Sequence, residues 1–365
     1  MNPNAPDLGP GLLLLERGWL SSNNILLDDD IDGEACATLI DSGHCVHAAQ
    51  TLALLRRELG ARPLRRLINT HLHSDHCGGN AALQREWSPL TLIPAGSWRA
   101  VQDWDDSALS YAATGQRCER FSAQGRITPG EVLRIGAREW PLHTWVPSGS
   151  WRAVQDWDEQ ALSYAPTRQR CERFAAQGRI SAGEVLQIGA RDWLALAAPG
   201  HDPESLMLFD AEHGVLISAD ALWENGFGVV FPELEGEAAF DDVQRVLELI
   251  ESLPVRCVIP GHGAAFTDVA GALRRARSRL DGFRADPARH LRHGAKVLLK
   301  YHLMEERRQA LPALREWMRG TPLLQSIWAE LGRPDGSPAA WAERLLQELL
   351  DGGVLQRRGD TVYDA

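Results

Sequence analysis

Residues 70–80 read THLHSDHCGGN, and three histidines and an aspartate of this stretch, His71, His73, Asp75 and His76, fall within six positions. In an extended loop, side chains two apart project the same way, so His71 and His73 can close on one metal ion. Asp75 and His76 are offset and can reach a second ion a few ångströms away. Neutral imidazole and carboxylate form the donor set that zinc prefers. Gly78 and Gly79 follow at once and are expected to let the backbone turn tightly beneath the loop. A strand over 64–68 delivers this loop. The stretch is therefore expected to be a metal site rather than a patch of surface histidines.

Four groups are too few for two metal ions, so further ligands are expected downstream. Three candidates follow apolar runs: His201 in Ala198-Pro199-Gly200-His201, Asp220 at the end of Val215–Asp220, and His262 in Pro260-Gly261-His262. Each would sit at the mouth of a strand, where α/β proteins build sites on loops. Together the pattern HxHxDH, then His, Asp and His, resembles the metallo-β-lactamase superfamily of metallohydrolases over roughly residues 11 to 270, and all seven positions match.

The resemblance implies an α/β fold of the αββα sandwich type, two mixed β-sheets between helices. It places His71, His73 and His201 on a first metal, Asp75, His76 and His262 on a second, and Asp220 as the bridge. It implies two Zn2+ ions, with iron or manganese as alternatives, and a metal-bridging hydroxide as nucleophile, which Asp75 would orient or deprotonate. Asp220 is similar to the bridging aspartate of glyoxalase II, the lactonases and the nuclease branch, whereas the β-lactamases themselves typically carry cysteine or serine there. The loop resembles the glyoxalase II-like thioesterases most. The expected activity is hydrolysis of a small acyl ester or thioester. Two alternatives remain: a metal-dependent nuclease acting on single strands, and a metal-binding protein inactivated by the duplication described next.

That duplication interrupts the resemblance. Residues 96–140 and 149–193 are about four-fifths identical at an offset of 53 residues. Two copies cannot make a solenoid, so the expectation is a tandem duplication inside a single-copy fold, with about 53 residues forming an extra lobe. Only copy two runs into His201, so the fold must use its last strand. Copy two is expected to be the embedded copy. Trp98, Trp104 and Tyr111, with Trp151, Trp157 and Tyr164, are expected to pack a helix–loop segment, and in the embedded copy to be candidates for walling the substrate pocket. Aromatics left uncovered on an extruded copy would favour a homodimer.

The remaining chain gives coarser signals. The composition is globular, with 44% hydrophobic and 24% charged residues, and the net charge of −11 argues against a general nucleic-acid binder. The apolar run Leu12–Leu15 is too short for a signal-peptide core or a membrane span, and the six cysteines show no CxxC spacing, so reduced thiols and a cytoplasmic protein are expected. Cys77 is expected to pack beneath the metal loop. Helical periodicity covers 48–59 and 240–253. After residue 270 the composition changes, and the chain is expected to divide into a domain over 1–275 and a helical, winged-helix-like domain over 276–365 that ends in a hairpin. Helices are expected over 273–283, 295–311, 312–318 and 338–350. Arg274, Arg275, Arg277, Lys296 and Lys300 are candidates to meet an anionic substrate, and Trp223 or Phe227 to shape its pocket.

Overall fold

The computed structural model describes residues 6–104 and 178–365, with Cys118 and the short strands 120–121, 132–135, 138–141 and 172–173 between them. Two sheets carry the fold. The first has six strands in the order Leu12–Leu15, Asn24–Ile31, Glu34–Ile40, Leu64–Ile68, Leu90–Pro94, Gly178–Ile180. Its first three pair antiparallel and the rest parallel. The second runs Val185–Ile188, Arg191–Ala197, Leu206–Asp210, Val215–Ala219, Cys257–Pro260, antiparallel until its last pair.

Alternation of side chains along each strand sets the layers. In the first sheet Ile25, Leu27, Ile40 and Ile68 face inward and meet Leu186, Ile188, Trp193 and Ile217 of the second sheet in one buried core. Their neighbours Leu26, Leu39 and Leu67 point the other way, onto Leu55, Leu59 and Leu83 of the helices Ala48–Leu59 and Asn80–Trp87. On the far side, Met207, Phe209, Leu216 and Val258 bury against the helices Phe240–Ser252 and Val269–Ala285. The result is helix, sheet, sheet, helix: the αββα sandwich.

The duplication is resolved in a way the sequence does not settle. Copy one supplies the helix Trp98–Asp103 directly after the strand Leu90–Pro94, with Trp98, Val101 and Trp104 buried. Copy two supplies Gly178–Ile180, which extends the first sheet, and the hairpin Val185–Ala197, which opens the second. The fold therefore takes its front from one copy and its back from the other, so copy two alone is not the embedded unit. The equivalent hairpin of copy one, Val132–Ile135 with Arg138–Pro141, forms in the same register but as a separate two-stranded sheet. Near-equivalent residues of the copies also pair in parallel, Arg120 with Glu172 and Phe121 with Arg173. Tyr111, Trp151, Trp157 and Tyr164 lie outside the described residues.

A buried ion pair locks copy two in place. Asp29 meets Arg66 and accepts from Thr38 Oγ1 at 2.6 Å, while Gly189 N donates to Asp29 Oδ1 at 2.8 Å and Arg66 Nη2 to the Gln187 carbonyl at 3.2 Å. The first sheet is thus tied to the copy-two hairpin, which opens the second.

The C-terminal part contains the helices Pro287–Glu306, Leu311–Gly320, Pro322–Glu330 and Pro338–Asp351, and a sheet in the order Arg308–Ala310, Thr361–Asp364, Leu355–Arg358. It has its own core, including Leu299, Leu314, Ile327 and Leu345, which Val229 and Leu234 enter from the sandwich. The helix expected from 295 begins eight residues earlier, because Asp286 caps it by accepting from Arg289 N. Gly294 lies inside that helix where Leu234 packs on it, and a Cβ there would come within 2.6 Å of the Leu234 side chain. Cys36, Cys45, Cys77 and Cys257 are free, but Cys118 is disulfide-bonded, against the expectation of uniformly reduced thiols.

Candidate metal centre

All seven candidate residues lie at one edge of the sandwich, on segments leaving strand ends. His71, His73, Asp75 and His76 follow Leu64–Ile68, His201 follows Arg191–Ala197, Asp220 follows Val215–Ala219, and His262 follows Cys257–Pro260. All seven are buried. The first loop ends in a helical turn, Ser74–Cys77, and Cys77 packs beneath it, its thiol donating to the Leu72 carbonyl at 3.4 Å. Gly78 and Gly79 have ordinary helical backbone, so turning is not what requires them. Close approach is: a Cβ on Gly78 would lie 2.3 Å from the Ser74 carbonyl, and one on Gly79 2.5 Å from that of Ser42.

The donor atoms converge in overlapping sets. His71 Nε2 lies 3.2 Å from His73 Nδ1, which lies 2.8 Å from His201 Nε2. His262 Nε2 is 3.1 Å from Asp75 Oδ2. Asp220 stands between the sets, with Oδ2 3.3 Å from His201 Nε2 and 3.7 Å from His76 Nε2, and Oδ1 3.8 Å from His262 Nε2. Among the described residues three groups could hold a metal ion, the ligand atoms of each within 4.8 Å of one another: His71, His73, His201; His71, His76, Asp220; and Asp75, His76, His262.

Surrounding groups fix which nitrogen of His76, His201 and His71 faces inward. His76 Nδ1 meets Asp41 Oδ2 at 2.8 Å, and Asp41 also accepts from Thr70 N at 2.9 Å and Thr70 Oγ1 at 2.8 Å. His201 Nδ1 donates to the Val229 carbonyl at 2.6 Å. Thr70 Oγ1 lies 3.2 Å from His71 Nδ1. These are the partners that orient metal-binding imidazoles. Trp223 Nε1 donates to Asp220 Oδ1 at 3.1 Å, and a Cβ on Gly261 would lie 2.3 Å from the same oxygen.

Charge and burial make the cluster a ready cation receptor. Burial, reinforced by the charge of His201, pulls His73 down to about 3. Burial and the neighbouring imidazoles hold His71 well below its ordinary value. Burial raises Asp75, but His76 and His262 outweigh it and bring the carboxyl down to about 2. The carboxylates around His76 likewise overcome burial and raise it. His76 Nε2 is buried without a hydrogen-bond partner in the structure. Neutral imidazoles with inward lone pairs, an ionised carboxylate and an unpartnered nitrogen fit divalent cations.

A cavity of about 480 Å3 opens on this cluster. His73, Asp75, His201, Asp220 and His262 form its floor, and Trp223 lines it as expected. Phe227 does not; it packs on Phe283 in the core. Trp98 and Trp104 are not among the lining residues and serve the core instead. Lys296 and Lys300 face the cavity, whereas Arg275 and Arg277 pair outside it with Asp268 and Glu251. The sequence reading missed Trp19, stacked on His262 at 5.6 Å, Tyr301, whose hydroxyl lies 3.1 Å from Ser74 Oγ, and Arg279. Asp41 was legible only as the end of a strand beside the loop.

Comparison with known proteins places this geometry. The sequence model of the metallo-beta-lactamase superfamily matches residues 17–262, and the chain belongs to that family. It is similar to the acyl-coenzyme A thioesterase MBLAC2 of Gallus gallus, 24% identical over 70% of this chain and 78% of the relative. The protein of that name from Bos taurus is 26% identical over 71% and 80%. The fold also matches a metallo-beta-lactamase family protein of Thermus thermophilus, with a TM-score of 0.50 and 20% identity, over 98% of this chain and all of that one. Membership supports a metal-dependent hydrolase. Among the described residues, no helix is long and apolar enough to cross a membrane.

Proposed function

We propose that the protein is a dinuclear metal hydrolase of acyl thioesters. The observation that carries this is Asp220, whose two oxygens reach toward His201 and His76 on one side and His262 on the other. His71, His73 and His201 would hold one cation, Asp75, His76 and His262 a second, and Asp220 would contact both. Zinc suits this donor set, and iron or manganese would also be accepted. When bound, the cations would supply water activation at neutral pH and polarisation of the scissile carbonyl.

The chain's own residues supply the rest. Asp75 stays ionised beside His76 and His262 and borders the cavity, so its carboxylate can accept a proton from the attacking water. Trp223 holds Asp220 in one orientation. Val229, Phe231, Val297, Met304 and Leu349 give the cavity apolar walls for an acyl chain. The substrate's thiol leaves as a thiolate, with an ordinary thiol pKa near 8.5, so departure needs little help from an acid. The acyl-coenzyme A thioesterase name of the relatives supports this substrate class. The tail over 276–365 would act as a substrate-facing lobe, and the protein would work outside membranes.

A panel of acyl thioesters, acyl esters and labelled single-stranded RNA, each with wild type and Asp75→Ala, tests the proposal. Thioester turnover lost in the variant is expected. RNA cleavage without thioester cleavage would overturn it.

A further inference from the structure

Three nearby cations face the cavity, Arg279 on the helix Val269–Ala285 and Lys296 and Lys300 on Pro287–Glu306, and they differ in what neutralises them. Lys296 pairs with Glu348 at 2.8 Å, and Lys300 with Asp364, while also donating to the Val354 carbonyl at 3.0 Å. Arg279 has no such partner: among the described residues no carboxylate lies within ion-pair reach of it. Its helix neighbours Arg275, Arg277 and Arg284 each have one.

The guanidinium is nevertheless half-buried and firmly placed. It lies over the rings of Phe227 and Phe283, 5.4 Å from each centroid. One nitrogen, Nη2, donates to His293 Nε2 at 2.7 Å. Burial first, and then Arg279 itself, bring His293 down to about 4, so this ring is a neutral acceptor that steers the guanidinium and adds no charge. Nη1 lies against the loop carrying Trp223, where a Cβ on Gly226 would come within 2.8 Å. Arg279 and the metal cluster line the same cavity. A half-buried charge without a counter-charge is costly unless an anion completes it, and a held guanidinium fork suits the two oxygens of a phosphate or carboxylate.

We propose that Arg279 is a specificity residue that seats an oxyanion of the substrate. That oxyanion is a phosphate on the thiol carrier or a carboxylate at the far end of the acyl group. The assignment deepens the thioesterase reading and rests on it. His293 is a positioning residue for the fork.

The test compares wild type, Arg279→Gln and Arg279→Lys on three thioesters of metal-loaded enzyme: butyryl-coenzyme A, butyryl-N-acetylcysteamine and glutaryl-N-acetylcysteamine. The glutamine variant should raise KM for one anionic thioester relative to the uncharged butyryl-N-acetylcysteamine by about tenfold to hundredfold, as loss of a charged hydrogen bond implies. The lysine variant should recover part of that selectivity, and it keeps the test alive if the glutamine variant does not fold. Selective loss on butyryl-coenzyme A assigns the phosphate; selective loss on the glutaryl compound assigns the carboxylate. An equal change on all three thioesters, or none, overturns the proposal. Calorimetric binding of inorganic pyrophosphate provides a readout without turnover. If no thioester is cleaved but pyrophosphate binding still weakens at least tenfold in the glutamine variant, the thioesterase reading falls and the anion site stands.

Discussion

Asp41→Asn isolates the role of the groups behind the metal cluster. Asp41 is buried and accepts three hydrogen bonds, from Thr70 N, Thr70 Oγ1 and the Nδ1–H of His76, all between 2.8 and 2.9 Å. In asparagine one oxygen can still accept from Thr70 N, but the amide NH2 now faces His76 Nδ1. Two donors then meet, and the conflict is relieved by moving the imidazole proton to Nε2, the nitrogen that faces Asp220 at 3.7 Å. A protonated Nε2 cannot ligate. Loss of a partner of this kind typically costs 10- to 100-fold in metal affinity, about 1.4–2.8 kcal/mol. Thr70 Oγ1 also lies 3.2 Å from His71 Nδ1, so a smaller effect reaches the other set. Zinc titration against a competing chelator should show two binding steps, one weakened 10- to 100-fold and the other less. Two unchanged steps would refute the reasoning.

Two further outcomes follow from groups away from the cations. His290 is buried, accepts from Val230 N at 3.3 Å, and is brought down to about 3 by burial. Its folded value is below its unfolded value near 6.5, so the unfolded chain takes the proton first and stability falls as pH drops from 6.5 toward 3. At pH 5 this costs about 2 kcal/mol; denaturant melts of wild type and His290→Gln should diverge by that amount between pH 7 and 5, and parallel curves would contradict it. Asp29→Ala would leave the Arg66 charge buried and unpaired and release Gly189 of copy two, costing about 3–5 kcal/mol. That corresponds to a fall in Tm of about 4–6 °C, and a Tm within about 1 °C of wild type would show that the copy-two hairpin is held by something else.

What was legible in the sequence has a common cause. Metal chemistry demands particular residue types at short spacings, so His71, His73, Asp75 and His76 announce themselves, while His201 and His262 stand out because each follows an apolar strand beside Gly and Pro, and Asp220 because it ends one. The N-terminal strands were legible as apolar runs, but Ile25, Leu26 and Leu27 are all apolar, so which of them faces the inter-sheet core and which the helices is set by packing. Contacts between distant segments were not legible. Arg279, Trp19 and Tyr301 reach the cavity only because the helices Val269–Ala285 and Pro287–Glu306 and the first hairpin pack around it, and the helix Pro322–Glu330 went unnoticed in a short apolar run. The duplication shows the limit most directly. Both copies form the same hairpin in the same register, and no local signal separates them. Continuity into His201 brings the copy-two hairpin into the second sheet, and continuity from Leu90–Pro94 draws the front of copy one into the fold.

Metal content per chain, measured on the purified protein alongside thioester turnover, addresses the central claim most directly. The account predicts two divalent ions per chain, and hydrolysis that disappears with a chelator and returns with zinc. Fewer than one ion per chain after zinc loading, or turnover indifferent to the chelator, would contradict it.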